Sequence, residues 1–199
     1  HYDVEYINNV NAGKAQVKIT GKGSYSGVVY KDFYIENATP YTSFTHRIER
    51  TAKTVNLGKY NGTAKSVVIP GTYTINGALY TPVIDARSSL NNTNITSVKL
   101  GKGVKFKDNK TDFLFANCTS LAKIDMAGVI TSDVTDLYAT FYNCTALKTL
   151  DVSDFDTSKV TSMYCAFYGA SNLVVTGYEK WDTRSLTRLA SAFDGAKVA

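Results

Sequence analysis

The residues best suited to holding a metal ion are aspartates that cluster between positions 151 and 156. Asp151, Asp154 and Asp156 offer carboxylate oxygens, the ligands that calcium prefers. Their spacing is not that of an EF-hand loop, which also needs a central glycine and a terminal glutamate. Aspartates in such loops more often accept hydrogen bonds from nearby backbone N–H groups. We therefore interpret them as turn-forming residues and expect no metal and no cofactor.

Cysteine chemistry is limited to Cys118, Cys144 and Cys165. Cys118 and Cys144 stand one 26-residue interval apart, and Ala170 and Ala196 continue the same interval. A repeat position that holds Cys in two copies and Ala in the next two predicts a small buried side chain. A Cys118–Cys144 disulfide stays open as the alternative. Zinc is disfavoured because the sequence has no C-x-x-C pair and little histidine.

No set of residues in the sequence indicates an enzyme. His46 is the only internal histidine, so no Ser-His-Asp or Cys-His arrangement can be assembled. The net charge is +5, but Lys and Arg are spread along the chain, which favours a solvated surface over a nucleic-acid-binding one. No apolar run reaches the roughly 18 residues that a membrane span needs.

The elements that must position any binding residue follow a 26-residue repeat. Apolar residues recur at this interval in four rows: Phe115, Phe141, Phe167 and Phe193; Leu121, Leu147 and Leu173; Val134, Val160 and Leu186; Leu137, Met163 and Leu189. A period of this length predicts a solenoid whose neighbouring units share one core. Ile95, Val98 and Leu100 begin the first copy with the L-x-x-L-x-L spacing typical of leucine-rich-repeat strands.

Each unit is predicted to combine its strand with a short helix. Residues of N-cap type stand 26 apart at Asn109, Thr135, Thr161 and Thr187. Residues that tolerate a left-handed conformation follow at the same interval at Asn117, Asn143, Gly169 and Gly195. The expected fold is therefore an α+β repeat solenoid, leucine-rich-repeat-like, in which each 26-residue unit has one short parallel strand and one short helix.

The residues before the repeats divide into three segments. Residues 1–35 predict a small antiparallel β segment, because apolar and polar residues alternate between turn clusters. Residues 36–65 carry few signals and are interpreted as a linker, with a candidate short strand at Val55 and Leu57. Residues 66–84 predict a β-hairpin around Asn76-Gly77, which would cap the repeat domain of residues 66–199.

Two stretches resemble known families. The run LDVSDFDTSKVTSM, residues 150–163, closely resembles the repeat of BspA-like leucine-rich-repeat surface proteins. The run YINNVNAGKAQVKITGKGSYSG, residues 6–27, looks like the closing strands of bacterial immunoglobulin-like surface modules. The first resemblance implies an extracellular protein of the cell surface that takes part in adhesion and has no catalytic residues. The second implies that residues 1–35 are part of an immunoglobulin-like module.

Two groups of residues are left unexplained by the repeat pattern. The strand-face group should point away from the core, onto the face where solenoids commonly bind, and comprises Lys123, Asp125, Thr149, Asp151 and Ser153. The tyrosine group recurs at 26-residue spacing and comprises Tyr138, Tyr142, Tyr164 and Tyr168. Tyrosine clusters suit sugar or protein contacts, but they also suit packing between repeats.

The predicted function is recognition at a cell surface. The expected partner is a protein or glycan of a host or a neighbouring cell, and no nucleic acid. The alternative is a structural stalk whose repeats only add length or associate end to end. A binding array would separate these two functions, because only the first requires a ligand.

Overall fold

The first unit of the chain, His1–Ala38, is built on a three-stranded antiparallel sheet. The computed structural model describes residues 1–7, 13–35 and 37–198. The sheet contains β1 (Tyr2–Ile7), β2 (Gly13–Gly21) and β3 (Val28–Ile35), with β2 in the centre. The predicted antiparallel segment is therefore confirmed, whereas its assignment to an immunoglobulin-like module stays a prediction.

The pairing of β2 with both neighbours sorts the side chains onto two faces. On one face Lys18 pairs with Glu5 at 3.2 Å, and Lys14 with Asp32 at 2.6 Å. On the other face Ile19 lies opposite Val4 of β1 and Val29 of β3. This is the alternation that the sequence predicts for a sheet with one polar and one apolar side.

The second unit, Thr39–Ala199, is a coil that carries the repeats. Its strands are β4 (Phe44–Glu49), β5 (Thr54–Tyr60), β6 (Ser66–Ile69), β7 (Tyr73–Ile75), β8 (Ala78–Ile84), β9 (Ser97–Leu100), β10 (Lys105–Phe106), β11 (Lys123–Asp125), β12 (Thr149–Asp151), β13 (Val174–Thr176) and β14 (Lys197–Val198). One α-helix, α1 (Ala86–Ser89), and 3₁₀ turns at Tyr41–Ser43, Lys107–Asn109 and Tyr178–Lys180 complete the elements of the described residues.

The strands of the second unit form three sheets. Two contain only parallel pairs, in the orders β6-β9-β11 and β12-β13-β14. The third has the order β4-β5-β8-β10, with β7 antiparallel to β8. Single parallel bridges also join Lys110, Asp136, Ser162 and Arg188 in sequence. Successive coils are thus joined both along their strands and along the opposite segment of each repeat.

The segment interpreted as a linker, residues 36–65, instead contains two paired strands. β4 and β5 form an antiparallel pair, and β5 continues in parallel with β8. Val55 and Leu57 are fully buried, which explains why this weakly patterned segment belongs to the core. The candidate strand at Val55 and Leu57 is confirmed, but the linker interpretation is corrected.

The hairpin around Asn76-Gly77 is confirmed, with β7 and β8 joined at Ile75 and Ala78. Asn76 and Gly77 both have positive φ, at 49° and 77°, as a two-residue hairpin turn requires. The hairpin is not a separate cap, however, because β8 lies between β5 and β10 within their sheet.

The short helix predicted in each unit is not formed. The chain makes successive tight turns there, in which Thr140 N–H donates to Leu137 O and Tyr142 N–H to Ala139 O. The intervening N–H groups donate to the next coil, for example from Ala139 to Tyr164 and from Phe141 to Ala166. A positive φ of 49° at Ala139 interrupts the helical path.

The residues expected to cap these helices have other structural roles. The threonines link successive coils, since the Thr161 hydroxyl donates to Thr135 O and the Thr187 hydroxyl to Thr161 O. The left-handed conformation predicted after each segment is confirmed, with positive φ at Asn117, Asn143, Gly169 and Gly195. The sequence signals were therefore those of tight turns rather than of helix ends.

The core of the second unit is organised around a stack of phenylalanine rings. The centroids of Phe115, Phe141, Phe167 and Phe193 lie 5.4, 5.3 and 5.1 Å apart in turn. This spacing is close to the ~4.8 Å separation of neighbouring strands, so each coil contributes one ring.

The cysteines of the core are free thiols. Cys118 donates to Leu90 O at 3.0 Å and Cys144 to Phe115 O at 3.1 Å. Burial raises the pKa of the Cys118 thiol to about 11. The prediction of a small buried group is confirmed at both positions, and the Cys118–Cys144 disulfide is not formed.

Candidate functional site

The parallel strands of successive coils form two separate sheets, and the break lies between β11 and β12. These strands occupy equivalent positions in successive 26-residue units, yet they belong to different sheets. A groove of about 290 Å³ lies between them. The separation occurs on the face where the sequence predicts binding.

Four of the five strand-face residues line this groove. Lys123 and Asp125 come from β11, whereas Asp151 and Ser153 come from β12 and the turn after it. The fifth residue, Thr149, lies exposed on β12 and does not line the groove. Thr149 and Asp151 point away from the core, because Leu150 between them is buried.

The base of the groove is apolar and its rim is acidic. Ile124, Met126, Leu150 and Phe155 contribute the apolar side chains. Asp154 also lines the groove and was not among the predicted site residues. Its position in the sequence DVSDFD, three residues after the β12 aspartate, is the signal that could have identified it.

Two of the rim carboxylates are held by local hydrogen bonds. Asp125 Oδ1 accepts from the N–H of Ala127 at 3.2 Å, and Asp151 Oδ1 accepts from the N–H of Ser153 at 2.9 Å. The hydrogen bond from the Ser153 backbone is the main reason that the pKa of Asp151 lies below its usual value. These contacts fit the prediction that such aspartates form turns.

The charges at the groove determine which ligand groups it can bind. Asp125, Asp151 and Asp154 outnumber Lys123, and Asp125 also lies 3.8 Å from Lys99. Like charges at equivalent positions of adjacent strands disfavour direct pairing, so Asp125 and Asp151 help to keep β11 and β12 apart. The groove can accept hydrogen bonds from hydroxyl, ammonium or guanidinium groups while burying a small apolar group.

Metal binding has no structural support at the aspartates. Among the described residues, no group of three or more His, Cys, Asp or Glu side chains is arranged to hold a metal ion. Asp156 instead accepts from the N–H of Ser158 at 3.0 Å, and Asp182 accepts from the N–H of Arg184 at the same distance.

The four tyrosines form two rows on the turn segments. The rings of Tyr142 and Tyr168 stack with centroids 5.3 Å apart, and those of Tyr138 and Tyr164 lie 5.6 Å apart. Arg188 lies over the Tyr164 ring at 5.4 Å. These contacts support packing between repeats, and the predicted binding role of the tyrosines stays a prediction.

Comparisons with known proteins yield one family model. The family model described as "Mycoplasma protein of unknown function, DUF285" matches residues 106–199, just under half of the chain. A search of curated proteins found no match. No helix among the described residues is long and apolar enough to cross a membrane.

Three solved structures are similar to the chain. A leucine-rich-repeat protein of T. pallidum has 16% identity and a TM-score of 0.43, with 70% of this chain and 81% of that chain covered. A leucine-rich-repeat protein of Bacteroides ovatus has 16% identity and a TM-score of 0.43, with 78% and 52% covered. A leucine-rich cell surface protein of Faecalibacterium prausnitzii has 18% identity and a TM-score of 0.40, with 82% and 54% covered. The chain spans about half the length of the last two proteins.

Proposed function

We propose that this chain is a non-enzymatic recognition module that acts outside the cell and binds a surface protein or glycan through the groove between β11 and β12. The observation that carries the proposal is the separation of these strands, which leaves a groove with an apolar base and an acidic rim. Polar groups around an apolar base are typical of ligand sites. The resemblance of residues 150–163 to BspA-like repeats supports the cell-surface setting.

The groove favours a ligand that donates hydrogen bonds. Three carboxylates, the Ser153 hydroxyl and one ammonium group line it, so sugar hydroxyls or basic protein side chains fit its chemistry. Phe155 adds an apolar ring that a sugar face or an aliphatic side chain can contact. The site is on two strands and the short turns that follow them rather than on long loops, which limits the movement of these groups.

An array of glycans and cell-surface proteins tests the proposal. We expect at least one ligand, whose affinity Asp151→Lys weakens by about tenfold or more because the substitution reverses a rim charge. Asp194→Lys is the matched control, because Asp194 is exposed and does not line the groove. Equal weakening by both variants would contradict a site in the groove.

The second candidate function is a structural stalk. The stacked phenylalanines and the linked threonines favour it, because continuous ladders of side chains resist bending whether or not a ligand binds. An array without any binding, together with concentration-dependent self-association in sedimentation, would favour the stalk over recognition.

A further inference from the structure

The charge of the second unit is divided unequally along the coil. Residues 39–110 contain eleven Lys and Arg against three Asp and Glu, a net charge of +8. Residues 111–199 contain seven Lys and Arg against ten Asp and Glu, a net charge of −3. In a coil whose repeats follow one another along an axis, sequence position is also axial position. The coil therefore has a basic part, residues 39–110, and an acidic part, residues 111–199, although the net charge of the chain is only +5.

The basic part has a groove at one edge of its sheet. β5, β8 and β10 are parallel, so their carboxyl ends meet at this edge. Lys59 is near the end of β5, Arg87 follows β8, and Lys107 and Lys110 follow β10. A groove of about 370 Å³ is lined by Arg87, Lys107 and Lys110, together with Asp85, Ala86 and Asp108.

Ion pairs hold two of these cations in place without covering them. The Arg87 guanidinium bonds to the buried carboxylate of Asp112 at 3.0 Å, although 69% of the Arg87 side chain is exposed. Lys107 pairs with Asp85 at 2.9 Å and is itself 49% exposed. Both cations are therefore held in fixed positions at the groove, which reduces the entropy lost when an anion binds, while Asp112 and Asp85 balance part of their charge.

We propose that this groove and the surrounding basic surface bind an acidic polysaccharide. Sulfate or carboxylate groups of such a polymer would contact Lys59, Arg87, Lys107 and Lys110. Asp85 and Asp108 would accept hydrogen bonds from its free hydroxyl groups. A ligand that carries both anions and hydroxyls fits a lining that mixes cations with carboxylates.

The lining of the groove disfavours nucleic acid as the occupant. Single-stranded nucleic acids are commonly held by aromatic side chains that stack on the bases, beside cations that follow the backbone. None of the described residues that line the groove is aromatic.

Binding of heparin and of polygalacturonate, measured by calorimetry at several salt concentrations, tests the proposal. We expect both polymers to bind, neutral dextran not to bind, and affinity to fall as salt rises because ionic contacts are screened and counterions are released. The triple variant Lys59→Gln, Lys107→Gln and Lys110→Gln should lose about tenfold or more in affinity. Thermal unfolding of the variant verifies that the fold is kept.

The matched control is Lys148→Gln, Lys180→Gln and Lys197→Gln, which removes the same charge from the acidic part of the coil. It should keep its affinity within about twofold, because these lysines lie outside the basic surface. Equal losses in both variants would overturn the proposal, because net charge alone would then explain binding. Failure of both polymers to bind would overturn it as well, and tighter binding of single-stranded DNA would assign the surface to nucleic acid instead.

Discussion

Each repeat has a strand side, formed by strands such as β11 and β12, and a turn side, formed by the tight turns around residues such as Phe141. The two sides differ in whether contacts between successive coils are continuous. On the turn side, side chains form uninterrupted rows, such as the Phe115 to Phe193 stack and the hydroxyl links between threonines. On the strand side, β11 and β12 separate and a groove lies between them. Both sides have the same 26-residue period. The difference in continuity therefore comes from the side chains rather than from the spacing.

This difference indicates which side is constrained by folding. A row in which each residue contacts its equivalents tolerates few substitutions, because every coil depends on the next. A strand face that has lost its pairing is free to carry charges that do not serve the fold. Asp125 and Asp151 form local turn contacts there, and together with Asp154 they bring three carboxylates to the groove, which is why we propose recognition on the strand side and mechanical continuity on the turn side.

The largest effect is expected from breaking the phenylalanine row. Phe141→Ala removes a buried ring that stacks on Phe115 and Phe167, and should lower the free energy of unfolding by about 3–5 kcal/mol. Urea unfolding followed by circular dichroism measures it. Phe113→Ala is the control, since Phe113 is 36% exposed and should cost distinctly less. Equal costs would mean that the row is not a special source of stability.

A smaller effect is expected from adding a methyl group at Gly169. Its φ is +70°, and a Cβ there would lie 2.5 Å from Asn143 Oδ1 of the preceding coil. Gly169→Ala should therefore destabilise the protein by about 1–3 kcal/mol through strain and crowding, measured by thermal unfolding. Gly103→Ala separates the two causes, because φ is +90° there but no atom lies within 4 Å of the new Cβ. If both variants cost the same, backbone strain alone explains the loss.

How much could be predicted from the sequence depends on the range of the interaction. The repeat and its core rows follow from apolar spacing, because a buried position needs an apolar residue in every copy. The left-handed residues Asn117 and Asn143 were likewise predicted from residue type. The prediction of a short helix in each unit was wrong because the residue types of N-caps and C-caps also occur in tight turns. A helix of about seven residues also has little stability of its own.

The groove and the linker segment were beyond sequence reasoning for a different reason. Separation of β11 from β12 depends on contacts between two coils, and the repeat pattern predicts the same pairing for all strands. Val55 and Leu57 gave a weak signal because few buried residues mark β5, and its partner β8 is distant in sequence, with Thr54 opposite Thr81. Lys123, Thr149 and Asp151 were nevertheless predicted correctly as exposed, since alternation along a strand is local, whereas Asp125 and Ser153 are half-buried.

An intermediate effect is expected from the buried threonine pair on the turn side. Thr111 and Thr140 share a hydrogen bond of 2.8 Å between their hydroxyl groups, and Thr140 also donates to Leu137 O. Thr140→Val keeps the shape but leaves Thr111 with one partner fewer, and should cost about 1–2 kcal/mol in urea unfolding. Thr161→Val, at an exposed position of the threonine row, should cost less. A greater loss at Thr161 would show that the row, rather than burial, sets the cost.

The smallest effect on stability is expected on the strand side, from Asp151→Asn. The Ser153 N–H holds the pKa of Asp151 below its ordinary value of 3.8 in the folded protein. A group with a lowered folded pKa adds stability above its unfolded pKa, and this contribution disappears as the pH falls through the folded pKa. The difference in melting temperature between the protein and the variant should therefore be constant from about pH 5 to 7 and shrink below 3.8. Asp154→Asn is the control, because its carboxylate makes no hydrogen bond among the described residues. If the difference grew as the pH fell, the hydrogen bond from Ser153 would not favour the ionised form of Asp151. That result would also count against the fixed rim carboxylate on which the proposed recognition depends.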